Sequence, residues 1–193
     1  MFYHLSESIT DNLVSAKAIP QKDKSIYQYG VQQGLTVTLN IITTLIIGIV
    51  FNMVFESFMF FAVYIPLRKF AGGIHASTAK KCYLYSTIMI IGVLLVIRLF
   101  PLDNFICNVC SLISGTIIFF LAPIDSKNKR LDSLERKIYK KRTVAILIIE
   151  LCIQLILNFF SFPNVIMCFS LALVSLSIVM IIGKIKNTVI EDL

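Results

Sequence analysis

The hydrophobic residues of this chain are concentrated in long, nearly uninterrupted runs that are separated by short polar segments. The runs predict membrane-spanning helices, because crossing the hydrocarbon of a bilayer takes about 20 apolar residues. Six spans are expected, at about 34–55, 58–67, 83–97, 105–122, 143–160 and 165–183, the second being a short apolar return. The pattern therefore predicts an all-α integral membrane protein, with one polytopic domain over residues 1–193.

The first twenty residues have a different pattern. Leu5, Ile9 and Leu13 recur at helical spacing among polar residues, and Pro20 ends the segment. This arrangement predicts an amphipathic helix over residues 1–20 that lies on the membrane surface. The segment lacks the basic start and short apolar core of a cleavable signal peptide, so we expect it to be retained.

Composition supports the bilayer as the solvent of this protein. Of the 193 residues, 57% are hydrophobic and only 15% are charged, which excludes an ordinary soluble domain. The net charge of +7 would suggest a nucleic-acid partner for a soluble protein. Here the positions of the cations have a simpler explanation, so no nucleic acid is expected.

The cations follow a topological rule. Six spans place every one of the 18 lysine and arginine residues on the same side, except Arg98. Cytoplasmic loops next to spans carry an excess of these residues. We therefore expect a multi-pass protein of the cell membrane whose two termini, segment 68–82 and basic connector 125–142 face the cytoplasm.

Segment 68–82 brings together two glycines, a histidine, two hydroxyls, four cations and a cysteine at the predicted cytoplasmic end of a span. Ser77 or Thr78 can cap the following helix, which would place Cys82 about one turn inside it. The positive end of the helix dipole and the neighbouring lysines would then favour the thiolate. His75 is suited to act as the base or the ion-pair partner of that thiolate.

The spacing of the histidine and the cysteine requires a bend between them. On one continuous helix, His75 and Cys82 would lie about 10 Å apart along the axis, too far for a hydrogen bond. Gly72 and Gly73 permit a turn that other residues cannot adopt. Spacing alone leaves two interpretations open: a catalytic pair, or an interfacial histidine beside an incidental cysteine.

Other polar residues support weaker hypotheses. Gln28 and Gln32 share a face of the first long helix and can form a polar helix entrance. Glu150 and Gln154 lie inside the fifth span, where a carboxylate is a functional candidate or a packing contact between helices. A small transporter or a non-catalytic membrane scaffold is therefore the alternative to an enzyme.

No metal, cofactor or disulfide framework is expected. The chain has five cysteines, an odd number without the spacing of a secreted domain. A zinc-protease motif of the form His-Glu-x-x-His is missing from the sequence. His75 and Cys82 alone are too few ligands for a closed zinc site.

The motif Arg-x4-Gly-x-His-Ala-x5-Cys, from Arg68 to Cys82, resembles that of the accessory gene regulator protein B family. Residues 122–131, which contain an Ala-Pro pair and a basic loop, resemble a second segment of that family. The resemblance implies a membrane cysteine endopeptidase of quorum sensing. Such an enzyme cuts the C-terminal tail from a small propeptide and helps to close the remainder into a thiolactone or lactone ring.

Several roles are implied by the resemblance, position by position. His75 and Cys82 correspond to the catalytic residues, Arg68 to the family arginine and Gln32 to a glutamine in the first long helix. The chain departs from the family at Ala79, where a serine is frequent. Six residues are expected to bind the substrate or to support the transition state: Gln32, Arg68, Gly72, Gly73, Ser77 and Thr78.

The implied partner is a short propeptide with an acidic C-terminal tail. Cys82, assisted by His75, would attack a peptide carbonyl and form a thioester acyl-enzyme, which a nucleophile of the peptide resolves. Backbone N–H groups at Gly72 and Gly73, or the Gln32 side chain, would hold the oxyanion. The lipid bilayer is the second partner, and a homodimer is left open.

Overall fold

The computed structural model of the protein describes residues 2–73, 79–125, 131–160 and 162–191, which fold into seven α-helices and one short 3₁₀ helix, Gln21–Asp23. The helices are α1 (Tyr3–Ser15), α2 (Lys24–Phe51), α3 (Val54–Ala71), α4 (Ala79–Leu99), α5 (Asn104–Leu121), α6 (Ser133–Phe159) and α7 (Pro163–Glu191). Within these ranges the predicted all-α architecture is confirmed.

Five of the helices, α2, α4, α5, α6 and α7, are long and apolar enough to cross a membrane. The predicted short return over 58–67 is instead part of an 18-residue helix, α3. That helix is about 27 Å long, but Glu56, Arg68 and Lys69 make its ends polar. Five candidate spans are thus present among the described residues where six were predicted, and the orientation of the chain stays a prediction.

Helix α3 lies at the centre of the bundle. It packs against α2, α6 and α7 and buries Phe60, Val63, Leu67 and Ala71 completely or nearly so. Tyr64 is also buried and stacks on Phe60 with 5.5 Å between ring centroids. The burial of this helix explains why it can be part of a membrane bundle without being among its most apolar segments.

Small residues allow the helices to approach one another closely, as is typical of membrane bundles. At Gly48 on α2, a Cβ atom would lie only 3.0 Å from the Cα of Val54 and 2.7 Å from the Oγ of Ser57 on α3. The connection between these helices is correspondingly short, with Asn52 in the left-handed conformation (φ 54°). Helix α3 therefore folds back directly along α2.

Helix α6 begins well before the predicted start of its span at residue 143. A capping box fixes its first turn: the Glu135 N–H donates to Asp132 Oδ1 (2.6 Å), and the Asp132 N–H donates to Glu135 Oε2 (3.3 Å). Residues 133–142 of the basic connector are consequently helical. Arg136, in the first turn of α6, forms an ion pair with Asp125 at 2.6 Å. This pair links the start of α6 to the segment that follows α5.

The predicted N-terminal helix is present as α1, and it packs on α2. Its buried positions are Ser6 and Thr10, whose hydroxyls donate to carbonyls of their own helix, while Leu5 remains half exposed. An ion pair of 2.5 Å between Asp11 and Lys24 joins the two helices. Ser6 and Thr10 thus face the rest of the protein, whereas Leu5 is available for contact with the lipid or water around it.

Candidate functional site

A sharp turn follows α3 at the two adjacent glycines. Gly72 has φ 76° and ψ −148°, and Gly73 has φ 119°. Residues with a side chain adopt such angles only at a cost, so the turn depends on the two glycines. The turn that the glycines permit is therefore present, whereas the bend expected between His75 and Cys82 falls on residues 74–78, outside the described residues.

The segment that follows α5 lies against this turn. Ile124 forms a parallel β-bridge with Gly72, and its N–H donates to the Ala71 carbonyl at 2.9 Å. A Cβ atom on Gly72 would overlap the Ile124 carbonyl oxygen. The Ala-Pro segment singled out in the sequence is thus in backbone contact with the glycine turn, although about 50 residues separate the two.

Arg68 holds the turn from the side of α3. Its Nη1 donates to the Gly72 carbonyl, and the same atom occupies the space where a Cβ on Gly73 would lie. The Cγ1 of Val179, on α7, would be 3.3 Å from that Cβ. The half-buried guanidinium therefore positions the backbone of the turn, a role that the sequence did not indicate.

Cys82 lies in the first turn of α4, which begins at Ala79. The thiol is exposed, and so are Lys80 and Lys81 beside it. The first-turn N–H groups of a helix have no partner within the helix, and the macrodipole places a partial positive charge there. The surroundings of Cys82 thus combine access for a substrate with a concentration of positive charge.

Tyr64 connects the arginine and the cysteine. Its buried side chain interacts electrostatically with both Arg68 and Cys82. The end of α3 and the start of α4 therefore lie close together at one end of the bundle. Sequence reasoning missed Tyr64, although its position one helical turn before Arg68 places both residues on the same face of α3.

A polar seam joins α2 to α4. Ser86 Oγ donates to Asn40 Oδ1 at 2.7 Å, and the hydroxyls of Thr43 and Tyr83 are 2.9 Å apart. On α2, the Asn40 amide donates in turn to the carbonyl of Thr36 at 2.9 Å. These contacts fix the position of the first turns of α4 relative to α2.

Gln32 precedes this seam on α2. The two helices run parallel, since Phe51 and Ile97 near their C-terminal ends line one cavity. Gln32 is about two helical turns before Asn40, so it lies on the side of the seam from which α4 begins. Gln32 is half buried, and its carbonyl accepts a hydrogen bond from the Thr36 hydroxyl. It therefore continues the polar face of α2 toward the region of Cys82.

Aromatic contacts bring the basic start of α6 to the same end. The guanidinium of Arg142 is 5.2 Å from the Phe70 ring centroid, and Lys69 is 5.6 Å from it. Tyr139 meets the same ring edge to face at 5.6 Å. We call this region the basic end: the last turn of α3, the first turn of α4 and residues 133–142 of α6.

Three predicted site residues, His75, Ser77 and Thr78, lie outside the described residues. Of the eight predicted site residues, Arg68, Gly72, Gly73 and Cys82 lie at the basic end, and Gln32 lies in the N-terminal half of α2.

Glu150 and Gln154 belong to a separate polar cluster between α5 and α6. Gln154 Nε2 donates to Asn108 Oδ1 at 3.0 Å, and Asn108 donates to Asn158 Oδ1 at 3.1 Å. Glu150 is 6% exposed and Gln154 is 1% exposed. One carboxylate oxygen of Glu150 and the amide oxygen of Gln154 are buried without a hydrogen-bond partner in the described part of the chain.

Comparison with known proteins gives one consistent result. The family model described as Accessory gene regulator B matches residues 6–182. "Putative AgrB-like protein 2" of Clostridium perfringens strain 13 is 31% identical over 164 residues, covering 81% of this chain and 77% of the relative. "Putative AgrB-like protein" of strain SM101 is 32% identical over the same shares. None of the solved structures matches the chain.

Proposed function

The chain belongs to the accessory gene regulator B family, and on this basis we propose that it is a membrane cysteine endopeptidase of peptide quorum sensing. Its substrate is a small autoinducer propeptide with an acidic C-terminal tail. The enzyme removes that tail and promotes closure of the remaining peptide into a thiolactone or lactone. Its active site faces the cytoplasm.

The observation that carries this proposal is the placement of Cys82. The thiol is exposed in the first turn of α4, at the basic end and within electrostatic range of Tyr64. A cysteine nucleophile needs access to the substrate and polar or charged groups around it, and this position offers both. The other free thiols of the described chain lie within the apolar helices α5, α6 and α7.

The proposed reaction is an acyl transfer. His75 takes the proton of the Cys82 thiol, and the sulfur attacks the scissile carbonyl carbon. The tetrahedral intermediate collapses as the peptide C–N bond breaks, and His75 returns the proton to the leaving amine. A thiol or hydroxyl of the propeptide then gives its proton to His75 and attacks the thioester; the C–S bond breaks, the ring closes, and His75 returns that proton to the Cys82 sulfur.

The glycine turn supplies a donor for the oxyanion of that intermediate. The N–H of Gly72 already donates to the Arg68 carbonyl at 3.3 Å, so it is engaged as the cap of α3. The N–H of Gly73 is therefore the backbone donor that we assign to the oxyanion, with the Gln32 side chain as the second. Arg68 contributes by holding the turn, and Ser77 and Thr78 flank the same segment.

The basic end provides the binding site for the acidic tail. Arg68 and Lys69 on α3 lie beside the start of α6, where Lys137 and Lys141 are exposed. Arg68 has a planar guanidinium that can bind a carboxylate through two hydrogen bonds. The exposed lysines also attract negative charge. Each of their contributions is small and is weakened by salt, and the contributions add together.

The proposal is tested with purified protein in proteoliposomes and a tagged propeptide, with the released tail measured over time. We expect Cys82→Ala and His75→Ala to abolish cleavage while the protein still inserts. Cys152→Ala is the matched control, since it removes another exposed thiol, on α6, and should cleave normally. Cleavage by Cys82→Ala at a rate near that of the wild type would overturn the proposal.

The buried cluster of Glu150 and Gln154 favours the second candidate function, a small transporter. Their unpartnered oxygens lie inside a candidate span, where such groups are costly. A transporter would keep its flux of peptide or ions after loss of Cys82 and lose it in Glu150→Gln. Flux into proteoliposomes that carry each variant distinguishes the two functions.

A further inference from the structure

A cavity lies at the end of the bundle opposite to Cys82. Its volume is about 370 Å³, it is open to the surroundings, and it is lined by the end of α2, the start of α3, the end of α4 and the start of α7. Phe51, Met53 and Ile97 form the apolar part of its lining. Cavities of this volume are at the lower end of the range for small-molecule sites. This volume suits a small molecule or a lipid headgroup.

The polar lining of this cavity contains one acid and one base. Glu56 Oε1 accepts a hydrogen bond from the Asn164 amide at 3.1 Å, so its carboxylate has a neutral partner. Arg98 lies across the cavity lining at the end of α4, with its side chain exposed. In the described part of the chain neither residue forms an ion pair, with the other or with any third group.

The presence of Arg98 here is itself informative. In the predicted arrangement it is the only one of the 18 cations on this side of the membrane, a side where lysine and arginine are disfavoured. A cation that topology disfavours, placed in a cavity with an acid it does not pair with, indicates a ligand that binds both.

We propose that this cavity binds a zwitterionic group, with its ammonium toward Glu56 and its anionic end toward Arg98. The amide side chains of Asn52 and Asn164 supply additional hydrogen bonds. Such a group can come from a phosphatidylethanolamine headgroup at the bilayer surface or from a free amino acid. This site is distinct from the basic end and is independent of the proposed peptidase activity.

The test uses the purified full-length protein in detergent and follows its thermal unfolding. The probes are phosphoethanolamine and β-alanine, with ethanolamine and inorganic phosphate as ligands that carry one charge only. We expect stabilisation by a probe that carries both charges and none by the single charges. Glu56→Gln and Arg98→Gln should each weaken the apparent affinity about tenfold or more, whereas Arg98→Lys should retain part of it.

Asp103→Asn is the matched control, because it neutralises an acid at the same end that does not line the cavity. This variant should bind as the wild type does. The source is identified by native mass spectrometry after reconstitution with phosphatidylethanolamine or phosphatidylglycerol. Retention of phosphatidylethanolamine but not of phosphatidylglycerol assigns the site to the lipid headgroup. Stabilisation by β-alanine but not by phosphoethanolamine, without retained lipid, assigns it to a free amino acid.

The proposal is overturned by either of two results. One is that ethanolamine or phosphate alone stabilises the protein as strongly as the probes with two charges. The other is that Glu56→Gln and Arg98→Gln keep the wild-type response although their unliganded unfolding temperatures are unchanged.

Discussion

Replacing Gly72 by alanine should impair catalysis without touching a catalytic residue. Gly72 has φ 76° and ψ −148°, a region that costs a residue with a side chain about 1–3 kcal/mol. The new Cβ would also overlap the Ile124 carbonyl oxygen, a backbone atom that cannot rotate away. Relief of this overlap separates the two segments and breaks the 2.9 Å hydrogen bond from Ile124 to Ala71, which is worth about 0.5–1.5 kcal/mol.

Together these terms disfavour the intact turn by about 1.5–4.5 kcal/mol, which lowers the ratio of intact to open turn roughly 10- to 1,600-fold. If the turn supplies the oxyanion donor at Gly73, kcat/KM for propeptide cleavage should fall by up to the same factor. The assay is the initial cleavage rate in proteoliposomes against propeptide concentration. Insertion and thermal unfolding are measured in parallel.

Gly92→Ala is the matched control for this substitution. Gly92 lies within α4, and a Cβ there would meet nothing within 4 Å. Alanine is the better helix former by about 1 kcal/mol, so this variant should be as stable and as active as the wild type. Cleavage by Gly72→Ala within twofold of the Gly92→Ala rate would refute the role of the turn.

Two further predictions concern the cations. Arg68→Lys should lower the cleavage rate roughly tenfold or more, because it loses the planar guanidinium that holds the turn and can bind a carboxylate. Lys137 is exposed among many other charges, so Lys137→Ala should change the rate less than about twofold. Both rates should fall at higher salt, and equal small losses in the two variants would mean that Arg68 is only a topological anchor. For topology, Ser133→Cys in a chain without its native cysteines should react with an impermeant maleimide only after the cells are opened; labelling of intact cells would place the connector outside.

The sequence predicted the limits of a helix well where the helix begins and ends at the same residues as its apolar run. The fourth predicted span, 105–122, differs by one residue at each end from α5. The start of α6 was missed because lysines and arginines conceal ten helical residues from a hydropathy argument. The signal was nevertheless in the chain, since Asp132 and Glu135 have the spacing of a capping box.

The candidate site was predictable only in its local part. Two adjacent glycines permit a turn through their own conformational freedom, and a turn is present at Gly72 and Gly73. The contact of Ile124 with this turn and the seam between Asn40 and Ser86 join segments that are far apart in sequence. Such pairings depend on how the helices pack, which no local pattern encodes.

The central claim is that Cys82 becomes acylated by the propeptide. The most direct measurement is intact-protein mass spectrometry of the reconstituted enzyme, quenched in acid shortly after mixing with a propeptide that lacks its ring-closing nucleophile. We predict an added mass equal to that of the N-terminal fragment acid less one water, mapped to Cys82, released by neutral hydroxylamine and missing in Cys82→Ser under the same treatment. Tail release by the wild type without any adduct, or an adduct on another residue, would contradict it.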